Sequence, residues 1–215
     1  TFIHLFAALK RMIIEYLHDD SVIVYLTHLE GEWGTSFPED GVIKINVLNV
    51  KKMFDCNNYE ENPEAIHILD TIFHEARHIM QYRLMQKKDM SPEIYEQYKE
   101  EVLKSLNVDY YNKNYKETLS EIDARLTGAK MVVDFLKEYY PYMINCIKYY
   151  DAIVKKEEER IIHKKNVLEL ADDVTVDGAL EKIIAVNPKL LEKYPGLQRE
   201  YELDGTKKEK INHQL

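Results

Sequence analysis

Residues 74–78 read His-Glu-Ala-Arg-His. On a helix, positions i and i+4 lie one turn apart on one face. Two imidazoles so placed can share one tetrahedral metal ion, with nitrogens about 2.0–2.1 Å from it. Glu75 follows the first histidine, beside that stripe, where its carboxylate reaches a metal-bound water rather than the metal. A divalent ion lowers the pKa of such a water towards about 7, and a neighbouring carboxylate can take its proton. The chain holds 8 His and 24 Glu in 215 residues, so the bare pattern gains its meaning from the elements that position it.

The first such element is the helix that carries the pattern. Asn62-Pro63-Glu64 combines an N-cap residue, a first-turn proline and an early acid, and the helical pattern then runs to about Gln86. With about 100° per residue and His67 at zero, Asp70, Thr71, His74, His78 and Gln81 fall within about 60° of it. Ile66, Ile68, Leu69, Ile72, Phe73, Ala76, Ile79 and Met80 fill the opposite arc. Both histidines therefore share one polar stripe, which fits a cleft-lining helix and a plain surface helix alike.

A metal site that works on substrate needs a third protein ligand and an open position. The segment KETLSEIDARLTGAKMVVDF lies in a helix expected from Tyr115 to about Tyr140, stopped by Pro141. Glu121 shares its arc with Leu119, Ile122, Leu126, Ala129, Val132, Val133, Phe135 and Leu136, while Asp123, Thr127, Lys130 and Asp134 fall on the far side and are expected in solvent. An inward carboxylate needs a cation or hydrogen bonds. A metal is one candidate for Glu121 and Arg125, one turn on, is another. Glu117 also faces inward and is the rival ligand, although Asn114-Tyr-Lys-Glu117 matches a capping box that gives it a structural role. Asp70 is placed either to orient His74 or to face solvent. Tyr110, Tyr111 and Tyr115 are candidate donors to a developing oxyanion or packing residues. His67 lies two turns from His74. His28 reads as structural, and His163 and His213 carry no signal.

Elsewhere, Phe2 to Leu17 reads as an amphipathic helix, and Ser21 to Leu29 and Val42 to Leu48 read as strands around a Gly31–Gly41 loop. Ser91-Pro92-Glu93 starts a short helix reaching about Leu106. A charged helix runs from about Tyr142 to Lys165, and shorter ones follow near 177–186 and 188–194. The formal net charge of -9 disfavours nucleic acid as a partner. No uncharged apolar stretch of about 18 residues exists, so no membrane span is expected. The opening TFIHLFAALKRMII places its basic residues after the apolar run, the wrong order for a secretory signal. Cys56 and Cys146 form no CxxC and suit a reducing, cytoplasmic setting.

ILDTIFHEARHIMQ followed by SEIDARLTG resembles the gluzincin-type HExxH zinc metallopeptidases, and among them the compact bacterial and phage-associated ImmA/IrrE-like members. The likeness covers residues 41 to about 136. It implies Zn2+ held by His74, His78 and Glu121, Glu75 as general base, and a peptide or protein substrate. The expected fold is α+β: a mostly helical zincin-like domain over residues 1–140 with a small antiparallel sheet beside the HExxH helix, and a C-terminal helical extension over 141–215 packed on it. The strand VIKINVL would be the edge along which an extended peptide pairs. Two departures stand out: Arg125 occupies a position where many relatives have Asp or Asn, and Arg77 is bulky where small residues are usual. The rival expectations are a catalytically inactive zincin-like domain serving protein interaction, and a helical module with an accidental HExxH.

Overall fold

The computed structural model describes residues 2–106, 115–170 and 175–208. It is mostly helical, with one small mixed sheet. The elements run α1 (Phe2–Leu17), β1 (Ile23–Thr27), β2 (Gly34–Phe37), β3 (Val42–Asn46), α2 (Val47–Asp55), a 3-10 turn (Pro63–Ile66), α3 (His67–Met85), α4 (Pro92–Ser105), a 3-10 turn (Tyr115–Glu117), α5 (Leu119–Tyr139), α6 (Ile144–Leu170), α7 (Val176–Val186), α8 (Leu190–Lys193) and a closing 3-10 turn (Pro195–Arg199). No helix among the described residues is long and apolar enough to cross a membrane.

The sheet corrects the sequence reading. Its order is β1-β3-β2, with β1 parallel and β2 antiparallel to β3. It is therefore mixed rather than antiparallel, and VIKIN is its central strand rather than an edge. The hairpin partner of β3 is β2, four residues inside the stretch expected to be a loop; Gly41 closes the turn with a φ of 63°. The strand expected to reach Leu48 stops at Asn46. There the side chain accepts from the Leu48 amide and caps α2, while its own amide donates to the Leu29 and Glu32 carbonyls at 2.7 Å each.

The described chain divides into two compact units, residues 1–86 with 120–161, and residues 87–119 with 162–215. The units interleave along the chain, in contrast to a single cut near residue 140. In the first unit α3 is central. Phe73, Ala76 and Ile79 are fully buried among Leu9, Ile13 and Leu17 of α1, Ile43 and Ile45 of β3, Ala129, Val132 and Phe135 of α5, and Cys146 and Tyr150 of α6. Each large side chain so buried contributes about 1.5–3 kcal/mol.

In the second unit α4 begins at Ser91, whose hydroxyl accepts from the Ile94 amide, with Pro92 first in the helix. Its Val102 and Leu103 pack with Val176, Leu180 and Ile184 of α7, and with Leu191, Leu197 and Tyr201.

Candidate metal centre

Three donor side chains meet in the first unit. The Nε2 atoms of His74 and His78 lie 3.0 Å apart, their rings nearly perpendicular at 84°. Glu121 of α5 places Oε1 at 3.3 Å from His78 Nε2 and Oε2 at 3.6 Å from His74 Nε2. Ligands about 2.0–2.1 Å from a tetrahedral ion stand roughly 3.3 Å from one another. The three separations bracket that value, so the donor set fits a divalent ion in size and in chemistry. Among the described residues the group of His, Cys, Asp and Glu donors stops at these three. Glu117 lies exposed in the 3-10 turn and is not part of it.

Local sequence explains the convergence. The i, i+4 spacing supplies the imidazole pair, and the inward phase of Glu121 on α5 supplies the carboxylate. A glycine lets the two helices approach. A Cβ on Gly128 would come within 2.8 Å of the Asp70 carbonyl oxygen and 3.3 Å of the His74 amide nitrogen, so only glycine fits at this crossing. On the other side of α3, a Cβ on Gly34 would come within 2.7 Å of Thr71 Cγ2, so a glycine also seats β2 against the helix.

The electrostatics treat the two imidazoles differently. Burial, reinforced by the adjacent His78, pushes His74 down to about 3, which keeps it neutral over the physiological range. Burial also acts to lower His78, but its hydrogen bond and charge interaction with Glu121, with Glu75 and Gln81 behind, outweigh that and raise it. Glu121 is nearly buried at 5% side-chain exposure, and the Arg125 guanidinium lies 3.6 Å from its Oε2. The arginine alternative and the imidazole pair thus face the same carboxylate.

Glu75 is buried on the same turn. Its Oε2 accepts a hydrogen bond from the Ser36 hydroxyl of β2 at 2.7 Å. Burial pushes its pKa up, opposed by His78 and by the Ser36 bond. Ser36 left no trace in local sequence, because the bond joins residues 39 apart.

Two expectations about the surroundings are corrected. Asp123 does not point into solvent: its Oδ2 accepts from Arg77 Nε and from Gln81 Nε2, both at 2.7 Å. The far side of α5 is covered here by α3, which phase alone cannot show. Asp70 does not face solvent either. It is buried, with Oδ2 3.2 Å from His67 Nδ1 and, among the described residues, no hydrogen-bond partner for Oδ1. No hydrogen bond joins it to His74. Burial pushes its carboxyl up to about 7, against the pull of Arg125. His67 is half-buried against the edge of Trp33 and lies outside the donor group. Tyr115 is exposed, with Lys104 over its ring; Tyr110, Tyr111 and Asn114 lie outside the described residues.

No family model, curated protein or solved structure matches this chain. The functional reading therefore stands on the geometry.

Proposed function

We propose that the chain is a metal-dependent peptidase, with zinc the ion that best suits two imidazoles and a carboxylate. The observation that carries the reading is the convergence of His74, His78 and Glu121, with a second acid, Glu75, buried one residue beyond the first histidine and outside the donor group. A three-ligand set leaves a position for water and substrate, which favours catalysis over a closed structural site. When bound, the ion supplies Lewis acidity towards a water and a carbonyl oxygen.

The chain's own residues do the rest. His74 and His78 present their Nε2 atoms from one helical face, His74 held neutral by burial, while His78, whose proton affinity Glu121 raises, binds metal in competition with a proton. Glu75 takes a proton on its carboxylate and later returns it to the leaving amine. Its burial raises its proton affinity, and the Ser36 hydroxyl fixes Oε2, leaving Oε1 for the proton transfer. The residues themselves argue for metal-assisted hydrolysis. The choice of a peptide rests on the family resemblance and on β2, an edge strand tied to Glu75 through Ser36, where an extended chain would add by main-chain hydrogen bonds. That role passes to β2 from β3, whose two sides are already paired.

The test is purified full-length chain assayed for bound metal and for cleavage of an unfolded, dye-labelled protein. A Glu75→Gln variant is expected to keep its zinc and lose at least about 100-fold in rate, the lower end of what a positioned general base contributes. Cleavage at the wild-type rate by that variant, or a wild-type chain that takes up no metal, overturns the proposal.

A further inference from the structure

We infer that Gln81 is a positioning residue for the metal centre: it holds His78 with a proton on Nδ1 and so turns the Nε2 lone pair to the position shared with His74 and Glu121, and Asp123 and Arg77 in turn hold Gln81. This rests on the metal-centre reading and deepens it.

The argument is one of donors and acceptors. Gln81 is 3% exposed, so its amide must find partners inside the protein. One end of that amide faces the Ser120 carbonyl oxygen at 2.9 Å and Asp123 Oδ2 at 2.7 Å. Both are acceptors, so this end is the NH2 group and the other is the carbonyl oxygen. That oxygen lies 2.8 Å from His78 Nδ1. A carbonyl oxygen only accepts, so Nδ1 carries the hydrogen. A neutral imidazole carries one proton, and its Nε2 is then a bare lone pair, the form a metal requires. Among the described residues no hydrogen bond holds the Nδ1 of His74, so the anchoring of the pair falls on His78.

Arg77 extends the same chain of contacts: it donates from Nε to Asp123 Oδ2 at 2.7 Å and from a terminal nitrogen to the Tyr16 hydroxyl at 3.1 Å. Asp123 oxygen Oδ2 is thereby fixed between Arg77 and Gln81, and Gln81 between Asp123 and His78. Arg77 and Gln81 sit on α3, Asp123 on α5 and Tyr16 on α1. A network that merely glued these helices together would be satisfied by the Gln81 bonds to Asp123 and Ser120, and would set no tautomer on His78.

Two measurements separate these roles. On the metal-free, full-length chain labelled with 15N in histidine, two-bond nitrogen–proton correlations read which ring nitrogen of His78 is protonated. At a pH where the ring is neutral, Nδ1 is expected to carry the proton and Nε2 none. A neutral His78 protonated on Nε2 alone overturns the inference, and this measurement needs no variant to fold and no metal to bind. A chain that shows the Nδ1 proton and takes up no zinc would sink the metal reading while leaving the tautomer assignment intact. In the second measurement zinc competes with a chromophoric chelator. Gln81→Leu is expected to lose about 10- to 100-fold in affinity, the usual cost of removing a partner behind a ligand. Its cobalt-substituted form is expected to shift the visible d–d bands. Wild-type affinity in a folded Gln81→Leu chain counts against the inference.

Discussion

Each of the two units buries a charged side chain in a cluster of titratable groups, and the two clusters are built differently. In the second unit Lys99 is 1% exposed and meets Asp177 at 2.6 Å, Glu96 at 2.8 Å and Glu200 at 3.7 Å. Its pKa is raised: burial pulls it down, and the hydrogen bonds to Asp177 and Glu96 overcome that. In the first unit the counterpart is the buried Glu121. It faces two imidazole nitrogens at 3.3 and 3.6 Å and a guanidinium at 3.6 Å, all longer than the two short lysine contacts. Lys99 carries its own closed set of ion pairs. Glu121 and the two imidazoles stand at the spacing of side chains that share one ion. A buried charge closed by side chains is architecture, whereas one set in a ring of donors suits a cation taken up from solution.

That difference is open to attack by removing one member from each cluster. The largest effect belongs to the metal. Zinc at about 1,000 times its dissociation constant stabilises a protein by about 4 kcal/mol through mass action. The wild-type chain is expected to show a zinc-dependent rise in its thermal midpoint, and His74→Ala is expected to abolish it. An equal rise in both would mean that the ion binds elsewhere.

Lys99→Met is the counterpart. It leaves Asp177, Glu96 and Glu200 facing one another without their cation, and is expected to destabilise the chain whether or not zinc is present. The loss should fall below the about 3–5 kcal/mol of breaking a fully buried pair, because these acids are a third to a half exposed and regain water. Chemical denaturation with and without zinc checks this. A loss that appears only in the presence of metal would remove the distinction between the two clusters.

The two clusters also differ in how far the sequence foretells them. His74, His78 and Glu121 were legible because each lies on a strongly periodic helix, where spacing and phase translate directly into facing. The Lys99 cluster was not: it joins α4 to Asp177 and Glu200, 78 and 101 residues further on, and no local pattern encodes such a meeting. Within the metal centre the same boundary applies. Phase gave Glu121 its inward direction, yet placed Asp123 in solvent, because an angle about one helix axis carries no information on which neighbour covers that side. β2 escaped notice because Gly34, Ser36 and the following Pro38 have turn chemistry; pairing with β3, and the close seat of Gly34 on Thr71, make the segment a strand. α2 escaped because Asn46 interrupts an alternating run as a cap, and the three residues after it read equally well as strand.

Asp70 sharpens the comparison with a third way of settling a buried charge. It lies buried on α3, with one oxygen near His67 and the other without a hydrogen-bond partner among the described residues. Its carboxyl is pushed up to about 7 by burial, so a proton does for it what the ion pairs do for Lys99. An acid whose folded pKa lies above its unfolded value binds more protons when folded. Its stabilising contribution is full below the unfolded pKa, near 3.8, and is lost as pH rises through about 7. Asp70→Asn keeps the shape and never ionises. The variant is expected to gain on the wild type as pH rises from 5 to 8, by about 2.5 kcal/mol, the value of the roughly two pH units over which the folded acid keeps a proton that the unfolded one has lost. Urea denaturation of the metal-free chains at the two pH values reads that gap directly, free of zinc's own pH dependence. A gap that stays constant between pH 5 and 8 would mean that Asp70 is ionised throughout, its charge compensated by Arg125 and His67, and that Asp70 and Glu121 are both balanced by cations rather than one by a cation and one by a proton.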